Sequence, residues 1–335
     1  MKIFISLLIA AAVAVAGCGS DGSAEQATGA ASNHEEKQER KLQLLEITID
    51  GRPNADYAGL YLGDHLGYFA DVGLKLHVHS PIEPNRPVRY VAEKVVELGV
   101  SHQPEVALAR ERGTPIVAVG SWLPHPTSAL IWLKRSHIDG VADLKGKTIA
   151  TEGLEYQEKY LQAILARENL SLDDVKVIRP KYLMIPALIG GRADAAIGGS
   201  WNVEGIQLRE EGFDPVVMPV TKLGVPDYEE LVLIERRDQL AKNASMVRRF
   251  LSALTRGNEA AVADPSAAVK VLKTWYPILN AKAAAEGVVA TSPLLSQSRR
   301  MDETRWRDLD RWMVEEGLLG KSQMDPKPFT NAYVP

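Results

Sequence analysis

The feature that most limits what this chain can become is the alternation, from residue 42 onward, of short apolar runs with amphipathic stretches. Residues 44–49 (LLEITI) read as a strand, residues 58–69 as a helix whose end Gly67 marks, and residues 74–78 as a second strand. Residues 115–119 (PIVAV) and 130–133 are further buried strands, and residues 143–147 form a turn leading into another at 148–150. Residues 156–168 read as a helix with Leu161, Ile164 and Leu165 on one face, followed by a strand at 175–178. Such an order implies an α/β fold, with largely parallel sheets covered by helices. The last third is helical. Ser245 suits an N-cap, Asp264-Pro265 opens the next helix, and residues 302–316 place Trp306, Leu309, Trp312 and Met313 on one stripe that Gly317 stops. A length of 335 residues then suggests about two domains. The expected arrangement is two α/β lobes, residues 41–128 with 225–335 and residues 129–224. The chain would cross between them near 129–133 and 231–234, where apolar strands follow loops containing Pro or Gly. Clefts between such lobes, at the carboxyl ends of strands, are where small ligands bind.

The first forty residues follow a different logic. Lys2 precedes an apolar run from Ile3 to Ala16 broken only by Ser6. That is shorter than the roughly 20 residues of a membrane-spanning helix and suits the core of a signal peptide. Val15-Ala16-Gly17-Cys18 resembles a bacterial lipobox, which makes the cysteine the lipidated N-terminus of the mature chain. Residues 1–17 are therefore expected to be a signal peptide and residues 18–40, rich in Gly, Ser, Ala and charge, a flexible tether. Cys18 is the sole cysteine, which excludes a disulfide framework and a cysteine-built zinc or iron–sulfur centre. Scarcity of thiols also fits a protein anchored to the bacterial cell envelope and facing the oxidising periplasm or exterior. The net charge of −4 argues against nucleic acid as a partner. Gly199-Ser200-Trp201-Asn202 approaches a nucleophile elbow but lacks the closing Gly. No His-Glu-x-x-His, phosphate-binding loop or dinucleotide fingerprint is present. No catalytic residue, metal ligand set or cofactor is read from the sequence.

Asp50-Gly51-Arg52-Pro53-Asn54-Ala55-Asp56-Tyr57, with Gly67-Tyr68-Phe69 behind it, resembles the opening of the ABC-importer substrate-binding proteins that capture thiamine pyrimidine precursors. Gly99-Val100-Ser101-His102-Gln103-Pro104-Glu105 is similar to that family's Ser-Tyr-Gln-Pro-Glu segment, and Gly191-Arg192-Ala193-Asp194-Ala195 with Trp201-Asn202-Val203-Glu204-Gly205 continues the pattern. The resemblance covers residues 44–260. It implies a two-lobed type II periplasmic binding protein fold, a monomer that takes a small nitrogen heterocycle, and partners in a membrane permease and its ATPase. Eukaryotic relatives in this superfamily make the pyrimidine with a cysteine-rich metal motif, which this chain lacks. Same-fold binders of riboflavin, a sulfonate or nitrate are the alternatives, and an anionic ligand would call for a cleft cation, for which Arg52 is the candidate.

The candidate ligand-binding residues lie where strands end. Asp50, Asn54 and Tyr57 follow the first strand, Ser101, His102 and Gln103 precede a helix, and Thr151 and Glu152 stand before another helix N-terminus. Trp201 offers a stacking face and Glu204 an acceptor for an aminopyrimidine's donors. Each has a plainer reading as well: turn satisfaction for Asp50 and Asn54, a solvated loop for His102, core for Trp201, a helix start for Glu204. Gly51 stands where the family usually has Trp, His102 where it has Tyr, and Tyr57 where it has His. The lost ring implies a larger cleft and a larger or differently substituted heterocycle. A Cys18→Ser variant is expected to lose the lipid and leave the membrane fraction, checked by mass spectrometry of the N-terminal peptide. Retention of the same membrane fraction would contradict the anchor.

Overall fold

A computed structural model describes residues 41–335 apart from 82, 84 and 85. The expected signal peptide, the lipidation site Cys18 and the tether all lie outside the described residues. Among the described residues no helix is long and apolar enough to cross a membrane.

In chain order the elements begin β1 (Gln43–Thr48), α1 (Ala58–His65), α2 (Tyr68–Asp71), β2 (Leu74–His79), α3 (Arg86–Ala92), β3 (Leu98–Ser101), α4 (Gln103–Glu111) and β4 (Ile116–Leu123). Then come β5 (Ser128–Leu133), β6 (Thr148–Ala150), α5 (Glu155–Ala166), β7 (Lys176–Ile178), α6 (Met184–Ile189), β8 (Ala195–Ser200), α7 (Glu204–Glu210) and β9 (Pro215–Pro219). The chain closes with β10 (Leu231–Arg236), α8 (Leu240–Ala263), α9 (Pro265–Trp275), α10 (Ala281–Leu295) and α11 (Glu303–Glu315).

Two five-stranded sheets result, ordered β2-β1-β3-β10-β4 and β7-β6-β8-β5-β9. The chain passes from the first to the second between β4 and β5 and returns between β9 and β10. The sheets are less parallel than the element order implies. β1 is parallel to β2 and β3, but β10 is antiparallel to β3 and β4. β6 is parallel to β7 and β8, but β5 is antiparallel to β8 and β9. Each sheet thus contains one reversed strand, and it is the strand that follows a crossover. A chain arriving from the other sheet enters at the opposite end from strands fed by their own covering helices.

Local chemistry explains most boundaries. The expected helix over 58–69 is cut in two by Gly67, whose φ of 80° lies in the left-handed region that favours glycine. Asp264 caps α9 by accepting from the Ala267 N–H, with Pro265 in its first turn. Asp302 caps α11 the same way, accepting from Thr304 and Arg305 N–H. Ser245 is not an N-cap: α8 starts at Leu240 and runs through it. Its first turns are extended by helix-tolerant Leu240, Ala241 and Lys242, and the Asn243 amide donates to Glu235 Oε1 at 2.6 Å.

One face of the first sheet packs Leu45, Ile47 and Ile49 against α1 and α8, including Leu60, Phe250 and Leu254. Its other face carries Val232 and Ile234 against Val91, Val106 and Trp306. In the second sheet Leu130, Trp132 and Ile197 pack with Tyr160 and Ile164 of α5, where Leu309 and Met313 of α11 join them. Ile131 and Ala196 on the opposite face meet Met184 and Leu188 of α6. The tightest joint is between α1 and α8, where an added Cβ at Gly257 would sit 2.2 Å from the Gly59 carbonyl oxygen. Backbone cannot swing aside as a side-chain end does. Gly257→Ala is therefore expected to cost about 1–3 kcal/mol of stability and to lower Tm by several degrees, read by thermal unfolding. Gly140→Ala, which meets open space, is the control. Equal Tm values for the two variants would contradict this packing.

Candidate functional site

Between the two sheets lies a cavity of about 380 Å³. Its lining comes mainly from the carboxyl ends of parallel strands, where side chains and helix N-termini converge. Asp50 follows β1, His102 follows β3, Glu152 follows β6, Tyr182 follows β7, and Glu204 starts α7 just after β8. Glu230 reaches in from the loop before β10, and Tyr276 from the end of α9.

Of the expected site residues, Asp50, Asn54, His102, Glu152 and Glu204 line the cavity. Asn54 is also a cap, its Oδ1 accepting from the Asp56 N–H at 2.8 Å. The other five do not line it. The Tyr57 ring is buried, and its hydroxyl donates to Asp50 Oδ1, so it orients that carboxyl from behind. Ser101 donates to Glu105 Oε2 at 3.0 Å, and Thr151 Oγ1 accepts from the Gly153 N–H at 3.1 Å. Gln103 Oε1 accepts from the Glu229 N–H at 2.7 Å. Trp201 packs against the first-sheet core with its indole donating to the Pro126 carbonyl at 3.2 Å, so it is no stacking wall. Ser101 and Thr151 stand one residue before His102 and Glu152, and their side chains point into the protein.

The aromatic walls are two residues that sequence reasoning missed, Tyr182 and Tyr276. Arg52 bridges them: its guanidinium lies 5.7 Å from the Tyr182 ring centroid and 5.8 Å from that of Tyr276, and it donates to the Tyr276 hydroxyl at 2.9 Å. The place beside Gly51 is filled from across the cavity, since a Cβ there would meet Tyr182 Cε1 at 3.6 Å. The ring missing at Gly51 is thereby replaced by one from the second-sheet side. The Tyr182 hydroxyl donates to the Asp50 carbonyl at 2.9 Å, and Lys181 pairs with Glu83 at 3.0 Å. These contacts span the mouth. At the inner end the Asn202 amide donates to Asp56 Oδ1 at 2.6 Å and to Thr291 at 2.7 Å.

Carboxyl groups outnumber cations here. His102 Nε2 lies 3.6 Å from Asp50 Oδ2 and 3.7 Å from Glu230 Oε1, with Nδ1 3.7 Å from Glu105 Oε2. Burial pushes the imidazole down, but Glu105, Asp50 and Glu230 together outweigh it and hold His102 up at about 9. Burial raises Asp50, against the pull of His102 and the Tyr57 hydroxyl. Asp56 and Glu152 are both pushed up to about 8 by burial first, then by neighbouring carboxyls including Asp50 and Glu204. At neutral pH each is a carboxylic acid, with an O–H donor beside a C=O acceptor. The Glu152 group is held by Gln157, whose Oε1 accepts from the Glu152 N–H at 2.9 Å and whose amide donates to Oε2 at 3.2 Å. Glu204 Oε2 accepts from the Ser200 N–H and hydroxyl at 2.8 and 2.6 Å.

The chain matches the family model described as NMT1/THI5 like over residues 54–268. It is 32% identical to the formylaminopyrimidine-binding protein of Halalkalibacterium halodurans over 233 residues, 70% of this chain and 71% of that protein. It is 25% identical to the 4-amino-5-hydroxymethyl-2-methylpyrimidine phosphate synthase of Aspergillus parasiticus, covering 83% of each. Among solved structures it is similar to the alkanesulfonate-binding protein of Xanthomonas axonopodis pv. citri bound to MOPS, with a TM-score of 0.69 and 17% identity over 86% of this chain and 98% of that one. The last likeness establishes the periplasmic binding protein fold.

The raised carboxyls carry a stability cost with a definite pH window. In the unfolded chain Glu152 ionises near its ordinary 4.5, whereas in the folded protein it keeps its proton to about 8. Stability from this group therefore falls as pH rises between those values and is flat below them. Glu152→Gln, which cannot ionise, is expected to be more stable than wild type at pH 8, with the gap closing below about pH 4. Thermal unfolding across pH checks this, and a gap that does not change with pH contradicts it.

Proposed function

The chain belongs to the NMT1/THI5-like family, and we propose that it is the substrate-binding lipoprotein of an ABC importer that captures a thiamine pyrimidine precursor. The observation that carries the reading is the buried Glu152 carboxyl, pushed up to about 8 by burial and by Glu204 and Asp50, lining a cavity of about 380 Å³. A 4-aminopyrimidine presents an amino donor next to a ring-nitrogen acceptor. A neutral carboxylic acid presents the complementary pair, so two hydrogen bonds form in one plane without burying a net charge. The remaining amino hydrogen meets a second acceptor among Asp50, Glu204 and Glu230, and the Tyr182 and Tyr276 rings flank the heterocycle. Asp50, Asn54, His102, Glu152 and Glu204 make up the ligand-contacting set, with Tyr57 and Gln103 as positioning residues.

The name of the 32% identical relative, a formylaminopyrimidine-binding protein, supports this ligand class. The carboxyl-rich lining speaks against a sulfonate or nitrate, whose charge would have to be buried among acidic groups with Arg52 and His102 as its cations. The synthase relatives raise an enzymatic alternative. With Cys18 as the sole cysteine, the chain has no thiols to build their cysteine-rich motif at the cleft, which supports capture over synthesis. In this reading residues 41–128 with 225–335 and residues 129–224 are lobes that close about the two crossovers, and the closed face docks on the permease. The lipid on Cys18 and the tether keep the body at the membrane.

Calorimetric titration with hydroxymethyl- and formylaminomethyl-substituted 4-aminopyrimidines is expected to give one site. Glu152→Ala should weaken it about tenfold or more, the cost of leaving a buried donor and acceptor unmatched. Binding of an alkanesulfonate with no response to either pyrimidine would overturn the assignment.

A further inference from the structure

Outside the cavity, three side chains converge on the face of the first sheet opposite the α1 and α8 layer. Along β2 the residues alternate: Leu74, Leu76 and Val78 turn to the core, while Lys75, His77 and His79 take the other face. The parallel register sets Glu46 of β1 directly opposite His77. His77 Nδ1 lies 2.8 Å and His79 Nε2 2.5 Å from the same carboxylate oxygen, Glu46 Oε2. The two imidazoles are 4.5 Å apart between centroids, tilted by 40°. One ligand atom from each of the three residues thus falls within 4.8 Å of the others.

We propose that Glu46, His77 and His79 form a binding site for a divalent transition-metal ion of the zinc class. Two imidazoles, which are borderline donors, joined by one carboxylate make a mixed nitrogen–oxygen set that suits such ions, in contrast to the all-oxygen sets of calcium and magnesium. The spacing is close to what the ion requires. A tetrahedral ion with bonds of about 2.0–2.1 Å holds its ligand atoms roughly 3.3 Å apart. Each imidazole nitrogen has only to draw back from Glu46 Oε2 by less than about 1 Å. The two nitrogens already lie within 4.8 Å of each other, and partly exposed side-chain ends make such adjustments by rotation about their χ angles. The period of two along a strand fixes both imidazoles on one face, and strand pairing fixes the carboxylate beside them, so the donors are placed by backbone. β2 is an edge strand, which leaves one side of the site open to water as an entry path and as the source of further ligands. The site is separate from the cavity, whose lining includes none of the three residues.

The test is titration of the untagged, metal-stripped protein with Zn²⁺ by calorimetry, paired with thermal unfolding. One equivalent is expected to bind and to raise Tm as Zn²⁺ is added. The double variant His77→Ala/His79→Ala should weaken binding more than about tenfold and abolish the Tm rise. Glu46→Gln, which keeps shape and loses the charge, should weaken it too. The metal-free Tm of each variant and its pyrimidine binding serve as the control for folding. Absence of Zn²⁺ binding in wild type overturns the proposal. So does equal binding by the double variant, which would move the ion elsewhere, for instance to His102 and its carboxyls.

Discussion

The structure depends on the grip of one buried side chain, Glu230, which joins the two segments that carry the chain between the sheets. Glu230 lies on the return crossover, immediately before β10, and is 3% exposed. Its Oε2 accepts from the N–H groups of Thr127 and Ser128 at 2.7 and 3.0 Å and from the Tyr228 hydroxyl at 3.1 Å. Its Oε1 accepts from the Ser128 hydroxyl at 2.8 Å. Thr127 and Ser128 belong to the outward crossover, so one carboxyl clasps the two passages side by side. Glu229 anchors the same loop from behind, accepting from the Ser121 hydroxyl at 2.5 Å and from Arg305 at 2.9 Å. Removing Glu230 would leave several buried donors unmatched, a heavier loss than deletion of the bonds themselves.

Because Glu230 also faces the cavity and His102, the joint between the sheets and the floor of the site are one piece of chemistry. The surplus of acids has a physical consequence. Buried carboxyls this close cannot all ionise, so Asp56 and Glu152 hold protons while His102 carries a charge. A site of this kind is matched to a neutral or weakly basic molecule with adjacent donors and acceptors and mismatched to an anion. At the mouth the link from the Tyr182 hydroxyl to the Asp50 carbonyl joins the two sides directly.

Much of this was legible in the sequence, for identifiable reasons. Strand and helix periods are local, so β2, β5, β6 and α11 were placed to within about two residues. Asp50, His102, Glu152 and Glu204 follow strands that end at the cleft, and position at a strand end is readable without coordinates. Ser101 and Thr151 lay one step too early, and the alternation of side chains along a strand sends such neighbours inward. Trp201 failed because an aromatic at a cleft-forming turn can face either way, and the Pro126 carbonyl decided it. Tyr182 stands a few residues beyond the end of β7 and Tyr276 at the end of α9, and nothing local in the sequence shows that both rings come to Arg52 at the cavity. The reversed strands β5 and β10 were hidden for the same reason: direction within a sheet is set by the crossover, not by the strand. His77 and His79 showed their spacing openly, but the third donor, Glu46, appears only once β1 and β2 are paired.

Capture of a pyrimidine precursor is tested most directly by mass spectrometry of the small molecules released on denaturing the protein purified from its native source. A neutral or weakly basic aminopyrimidine is expected near one equivalent. Recovery of a sulfonate, nitrate or other anion in that place would contradict it.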